Sequence, residues 1–534
     1  MLIGYVSDEN FVAISDVNVE IIGADGSVVA RSRASGAIHA DVQPGRYMVY
    51  LSCPGYGSKH SEIDVSPDCP AQLRLLRDTP LGYAWPKWVR AGGEVEVRVH
   101  SRAEYRVELW RYGWEKRLVR SLGHGAHPPD ATRQVVPDGD YTQTGVGWCD
   151  PMRIAAPAES GLYFFHVHNA SGETAAFPLI VAPAVPAAPI AVLTSSLTWN
   201  AYNNFGGRSN YIHSVALPAT PPVNRRQDLP RYHHTDASQK YEWLGDDYAP
   251  LSFDRPEPLN VVPLDARITD PIEGREPNHL AAAEWRLLGW LEREGFAADV
   301  YSDVQLHTGT LDLDAYRVLV LSTHPEYWTR TMYDRVLAWV ERGGRLVYLG
   351  GNGVECEVEL PDERTMIVRN GDSRTFESDP DAMGSRFFGV SQVREERLLG
   401  IRTSTTGFFT AAPYRVIDAA HWVFEGTGLS DGDLFGERCL HTRCPGGASG
   451  HEMDTMTKSS PPGTTLLAKG ANAGLVPLVG GGVAPINSGA EMVHYRTADG
   501  GEVFSVGSIN YPSALPVDDA ISRITANVLR RFAA

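Results

Sequence analysis

Four short segments hold an unusual density of polar and aromatic side chains: TSSLTWNAYNNFGGRSNY at 194–211, STHPEYW at 322–328, GGNG at 350–353 and SINY at 508–511. Tyr202, Tyr211 and Glu326 offer hard oxygen donors, and His324 offers an imidazole. Phenolate and carboxylate oxygens suit a hard, highly charged ion, and Fe(III) is the metal best able to deprotonate a tyrosine near neutral pH. Tyrosines in a rim loop more often pack or hydrogen-bond than ligate. Residue types alone therefore leave metal-assisted and carboxylate-based mechanisms both open.

Other signatures are missing. The chain has no HExxH, no Walker loop and no GxGxxG before a helix. Gly428-Leu429-Ser430-Asp431-Gly432 has GxSxG spacing, but without the strand and helix that a nucleophile elbow needs it reads as a turn. The cysteines, Cys53, Cys69, Cys149, Cys356, Cys439 and Cys444, lack CxxC spacing and read as free thiols in a reducing cytoplasm. Cys439 and Cys444 flank His441, yet tetrahedral zinc wants a fourth ligand at matching spacing. His166 and His168 share one strand face, which is expected to be a partly exposed sheet surface rather than a metal pair.

The elements that must position these groups follow from periodicity. After the Pro/Ala linker at 182–190, short apolar runs alternate with amphipathic helices. IAVLTSS, AADVYSD, YRVLVLSTH, RLVYLG and EVFSVGS read as strands; segments 279–295, 330–344 and 518–532 read as helices. Such alternation predicts a mainly parallel, doubly wound sheet over 188–534. In such sheets ligands bind beyond the carboxyl ends of the strands, so the four segments should converge at one rim. Glutamine-amidotransferase-like domains share this architecture and place a cysteine after a central strand. STHPEYW carries none there, which disfavours a Cys-His amidotransferase. Residues 355–500 are Gly-rich and irregular, and are expected to form β-hairpins laid over the sheet. Upstream, period-two patterning predicts a small prealbumin-like β-sandwich at 1–78 and an immunoglobulin-like one at 79–182. The fold class is thus multidomain, two β-sandwiches followed by an α/β domain.

The net charge is −17, which disfavours nucleic acid as a partner. No stretch approaches the roughly 18 apolar residues of a membrane span, and the first residues lack a basic n-region. A soluble, cytoplasmic protein is expected.

AYNNFGGRSNY, STHPEYWT and GGRLVYLGGNG, in that order and followed by FSVGSINYPSALP, resemble the large (beta) subunit of the N,N-dimethylformamidase family over about residues 188–534. The resemblance implies hydrolysis of a small amide at a mononuclear iron held by Tyr202, Tyr211 and Glu326. It implies catalytic roles for His324, for Asn352 and for Glu452 in GHEMD, where His451 stands at a position that is aromatic in the family. Glu452 would be the general base, and His324 or Glu452 would protonate the leaving amine. Asn352 would orient substrate or water, or simply serve as a left-handed loop residue between glycines. A small accessory subunit and a homo-oligomer are expectations of the same resemblance. The Tyr202–Tyr211 spacing is shorter than in the family, so the loop shaping the pocket must differ and the family's substrate does not carry over with it. The alternatives are a hydrolase of another C–N or ester bond using the same metal site, or a non-catalytic glycan- or protein-binding protein.

Overall fold

The computed structural model describes residues 1–125, 134, 136–148, 151–223, 248–369, 386–404, 409–477, 483–486 and 489–534. Cys149 lies outside them, as does part of the irregular region. Among the described residues no helix is long and apolar enough to cross a membrane.

Alternating apolar residues build two layered β units at the N-terminus. The first has a four-stranded antiparallel sheet in the order Gly26–Arg31, Asn18–Gly23, Gly45–Cys53 and Gly57–Val65. Val19, Ile21, Val49, Leu51 and Ile63 share a core with Ile3, Val6, Ile38 and Leu73 of a three-stranded sheet. That is what period two buries when one face turns inward. The second unit pairs a five-stranded sheet with a three-stranded one across Val95, Val97, Val107, Leu109, Phe165 and Leu179.

The other face of that five-stranded sheet is also covered. Tyr112, Leu162, Phe164 and Ile180 join one core with Trp285 of the helix Ala281–Arg293. His166 is consequently buried, its Nε2 2.7 Å from Tyr112 Oη. The expectation of a partly exposed HxH face does not hold at this residue, because a helix from the C-terminal region lies on it.

Residues beyond the linker form a nine-stranded sheet in the order Ala298–Ser302, Ile190–Thr194, Val318–Thr323, Arg345–Gly350, Glu502–Ser505, Glu491–Arg496, Thr465–Gly470, Tyr414–Val416 and Leu434–Phe435. The first five strands run parallel. The remaining four add on antiparallel. The sheet is therefore mixed rather than mainly parallel, and the 355–500 region extends the sheet itself as well as forming hairpins beside it. A parallel sheet ending at Glu502–Ser505 would leave a row of unpaired backbone groups, which the returning strand Glu491–Arg496 covers.

Both faces of the parallel half are buried. Ile190, Val192, Val318 and Val320 pack with the helices Ala281–Arg293 and Asp519–Ala533. Ala191, Leu193, Leu319 and Leu321 pack with Asp303–Thr308 and Arg330–Glu341. This two-sided burial explains the uninterrupted apolar runs. The strand that comes first in sequence lies between the second and the third, so the order reverses between Ile190–Thr194 and Val318–Thr323. A crevice opens at such a point.

Candidate metal and catalytic site

Two chain segments meet beyond these strand ends. After the first strand the chain turns directly into the helix Ser196–Tyr202, so Tyr202 is the last residue of a helix rather than part of a rim loop. The buried Glu284 carboxylate accepts from the Ser195 backbone N–H (2.9 Å) and from Trp199 Nε1 (3.1 Å), pinning the start of the helix. Thr198 Oγ1 donates to the His324 carbonyl (2.8 Å) and accepts from the Glu326 N–H (3.2 Å), tying this helix to the HPE turn after the third strand.

Backbone strain gathers here. Thr323, Asn352, Val354 and His451 have φ of 52°, 54°, 56° and 69°. For β-branched Thr323 and Val354 the left-handed region costs about 1–3 kcal/mol each. Thr323 thereby turns the chain at the strand end immediately before His324. At Gly351 a Cβ would lie 2.4 Å from the Glu452 carbonyl oxygen, so only glycine allows these two loops to touch.

Tyr202, Tyr211 and Glu326 meet at their oxygens. Tyr211 Oη lies 3.0 Å from Tyr202 Oη and 3.0 Å from Glu326 Oε1, and Tyr202 Oη lies 3.1 Å from Glu326 Oε2. Oxygens that share a hard cation at ~2.0–2.1 Å in an octahedral shell sit about 2.9 Å apart, close to these spacings, with the two tyrosines meeting different oxygens of the Glu326 carboxylate. All three donors are hard oxygens, which fits a small, highly charged ion. Behind the triangle, Tyr327 Oη contacts Tyr211 Oη (2.8 Å) and Arg386 Nη2 lies 3.5 Å from Glu326 Oε1.

His324 Nε2 stands 3.2 Å from both Glu326 Oε2 and Glu452 Oε2. Asn352 Nδ2 donates to Glu452 Oε2 (2.9 Å), and Thr403 Oγ1 donates to Asn352 Oδ1 (2.6 Å). Asn352 thus has both anticipated properties, a left-handed backbone and a side chain aimed at Glu452. Asp454 accepts from the Asn352 N–H (2.9 Å) and the Tyr348 hydroxyl (2.8 Å). All six residues singled out in the sequence therefore form one contiguous cluster.

Burial, and then the Glu326 carboxylate, push both tyrosine hydroxyls well above their ordinary range. Burial raises Glu326 too, against the pull of His324. For His324 burial works downward, but the carboxylates of Glu452 and Glu326 outweigh it and the imidazole is raised. Burial pushes Glu452 upward, yet His324, His451 and Arg275 overcome this and hold it low. The cluster accordingly pairs an ionised Glu452 with a proton-bearing His324.

His441 is engaged by the protein at both nitrogens. Its Nδ1 accepts from the Cys444 N–H (2.9 Å), and its Nε2 faces His451 Nδ1 (3.0 Å). Burial pulls its pKa down to about 3, so a neutral His441 donates to His451. Among the described residues no group of three or more His, Cys, Asp or Glu is placed to hold a metal, so the oxygen triangle depends on its tyrosines. The GxSxG segment is a turn, with Ser430 N–H bonded to Asp433 Oδ2 (2.9 Å).

Sequence reasoning missed Tyr327, Arg386, Thr403, Asp454 and His279. Tyr327 directly follows Glu326 in STHPEYW, and Asp454 stands two residues after Glu452 in GHEMD. His279 was read as the first residue of a helix, but that helix starts at Ala281 and His279 faces the site instead. Nothing local marks Arg386 or Thr403.

The N-terminal β units grip the loop that carries Tyr211. The fully buried Arg74 guanidinium bonds the Gly206 carbonyl and Ser7 Oγ, while Gly206 N–H donates to the Glu9 carbonyl (2.6 Å). Arg208 Nε pairs with Asp140 Oδ2 at 2.6 Å, and Ala13 N–H donates to Pro222 O (2.9 Å). Gly206 and Gly207 have φ of 103° and 101°, and a Cβ on them would meet Thr142 Oγ1 at 2.2 Å and Phe11 Cβ at 2.3 Å.

Together the fold and the cluster define a protein of layered β units joined to a mixed α/β sheet with a buried tyrosine–glutamate–histidine centre at its switch point. Residues 106–524 match the family described as N,N-dimethylformamidase beta subunit-like, C-terminal, and the chain belongs to that family. The N,N-dimethylformamidase beta subunits of Paracoccus aminophilus and of an Alcaligenes species are each 30% identical to it over 288 residues, 47% of this chain and 36% of theirs. The chain thus spans about a third (36%) of the length of the curated relatives it matches. Among solved structures, the mmIFT52 N-terminal domain aligns with 46% of this chain and 87% of its own at 10% identity and a TM-score of 0.26, too weak a likeness to bear on the fold.

Proposed function

We propose that this chain is an iron-dependent amidohydrolase that cleaves the C–N bond of a small, often N-substituted, amide or formamide. The observation that carries the reading is the shared use of Glu326. The same carboxylate closes the oxygen triangle with Tyr202 and Tyr211 and contacts His324, which contacts Glu452 in turn. Tyr202, Tyr211 and Glu326 would hold a mononuclear Fe(III), whose chemistry is that of a Lewis acid toward an amide carbonyl and a water.

The chain's own residues do the rest. Glu452, held ionised, takes a proton from the attacking water, and Asn352 fixes the orientation of its carboxylate. His324 carries a proton at Nε2 and delivers it to the amine nitrogen as the C–N bond breaks. The products are a carboxylic acid, which receives the water oxygen, and a free amine.

The parallel half of the sheet is read as a glutamine-amidotransferase-like architecture without its thiol, and 1–78, 79–182 and 188–534 as the three domains. A small accessory subunit and self-association are part of the proposal, since the relatives are named as beta subunits. So is a reducing cytoplasm, supported by free thiols at Cys53, Cys69, Cys356, Cys439 and Cys444.

The test is amine release from formamide, acetamide, N,N-dimethylformamide and larger N-substituted amides by protein expressed with iron. Turnover of at least one of them, lost in Glu452→Gln, is expected. Iron-loaded protein that releases amine from none of them would count against the proposal.

A further inference from the structure

His279 belongs to neither the donor triangle nor the proposed proton path, yet it is buried at their centre with 1% of its surface exposed. Its ring lies 4.7 Å from that of Tyr202 and 5.2 Å from that of His324. The two Nδ1 atoms are 3.0 Å apart. Two imidazole nitrogens at that distance attract only if one carries a proton and the other offers a lone pair.

The far side of His324 decides the assignment. Its Nε2 faces Glu326 Oε2 and Glu452 Oε2, each at 3.2 Å. Neither contact has hydrogen-bond alignment, but a bare lone pair there would be repelled by two carboxylate oxygens, whereas an N–H dipole is favoured beside them. The proton of neutral His324 therefore belongs on Nε2, and its Nδ1 is an acceptor. Among the described residues, His279 Nδ1 is the atom placed to occupy that acceptor. In neutral His279 the proton then sits on Nδ1 and Nε2 is bare, and this Nε2 meets no hydrogen-bond donor among the described residues. A buried acceptor without a partner is tolerated more readily than a buried donor without one.

We infer that His279 is a positioning residue: by holding His324 Nδ1 it keeps Nε2 as the nitrogen that carries and delivers the proton. Outer partners that orient a working imidazole are general features of metal sites, and their loss costs about 10–100-fold in activity or affinity. The kinetic consequence rests on the amidohydrolase reading; the protonation pattern does not.

The experiment has two arms. In the first, histidine-selective ¹⁵N labelling of the wild-type protein and long-range ¹H–¹⁵N spectra identify which nitrogen of His324 is protonated. Nε2–H is expected, giving way to a mixture of tautomers in His279→Gln. A proton on Nδ1 with bare Nε2 in the wild type would overturn the inference, whatever the enzyme hydrolyses. The second arm compares His279→Asn, whose amide falls where Nδ1 was, with His279→Gln, whose amide falls where Nε2 was. His279→Gln should lose about 10–100-fold in kcat with KM nearly unchanged and iron content retained, and His279→Asn should lose at least about tenfold less. Equal behaviour of the two variants contradicts positioning through Nδ1. A wild-type protein with the expected tautomer but no amidase activity would sink the functional proposal and leave this one standing.

Discussion

At the scale of single residues, protonation governs what the cluster can bind. Tyr202 and Tyr211 are driven well above the ordinary phenol range by burial and by Glu326, so both are neutral phenols until a cation displaces their protons. The sign follows directly: a group protonated in the free protein and deprotonated in the complex makes binding stronger as pH rises. Uptake of Fe(III) should release about two protons from the tyrosines, measurable by calorimetry in buffers of different ionisation enthalpy. Release near zero would mean the phenols are not ligands. Glu452→Gln should keep iron and lose about 10²–10⁴-fold in kcat, because it removes a proton acceptor without touching the triangle. Tyr202, Tyr211, Glu326 and His324 were visible in the sequence as unusual polar groups after strands. Arg386 and Thr403 were not, since each enters from a short element whose placement depends on long-range pairing.

At the scale of elements, strand ends do the positioning. Thr323 in the left-handed region, the Thr198 bridge and the contact across Gly351 hold three separate segments in register. Gly351→Ala should destabilise the fold by more than ~1 kcal/mol and lower kcat by separating Asn352 from Glu452; urea melts and steady-state rates check both. Unchanged rates in a destabilised variant would show that this contact is structural only. The parallel strands and their helices were legible because apolar runs and amphipathic periods are long there. The outer antiparallel strands were not, because Leu434–Phe435 and Tyr414–Val416 are only two and three residues long and carry no period.

At the scale of the molecule, the N-terminal β units are part of the site's support. Arg74, Glu9 and Asp140 reach from them to Gly206 and Arg208 in the loop that presents Tyr211. Removing the Arg74 guanidinium leaves a buried Gly206 carbonyl without its charged donor, a loss of about 1–3 kcal/mol, at a distance from the reacting groups. Arg74→Met should therefore lower iron occupancy and weaken any tyrosinate band while the circular dichroism of the protein stays unchanged. Full occupancy with an unaltered spectrum would show that the loop holds itself. The sequence displayed these β units clearly as modules but hid their purpose, since the contacts join residues more than 60 positions apart.

The most direct measurement is the iron content and visible spectrum of the wild-type protein beside Tyr211→Phe, both expressed with iron. One iron per chain and a broad tyrosinate-to-iron(III) band are predicted for the wild type, with band and amide turnover lost in Tyr211→Phe. A colourless, iron-free wild type that still releases amine from an amide, or a Tyr211→Phe variant that keeps both metal and activity, would contradict the account.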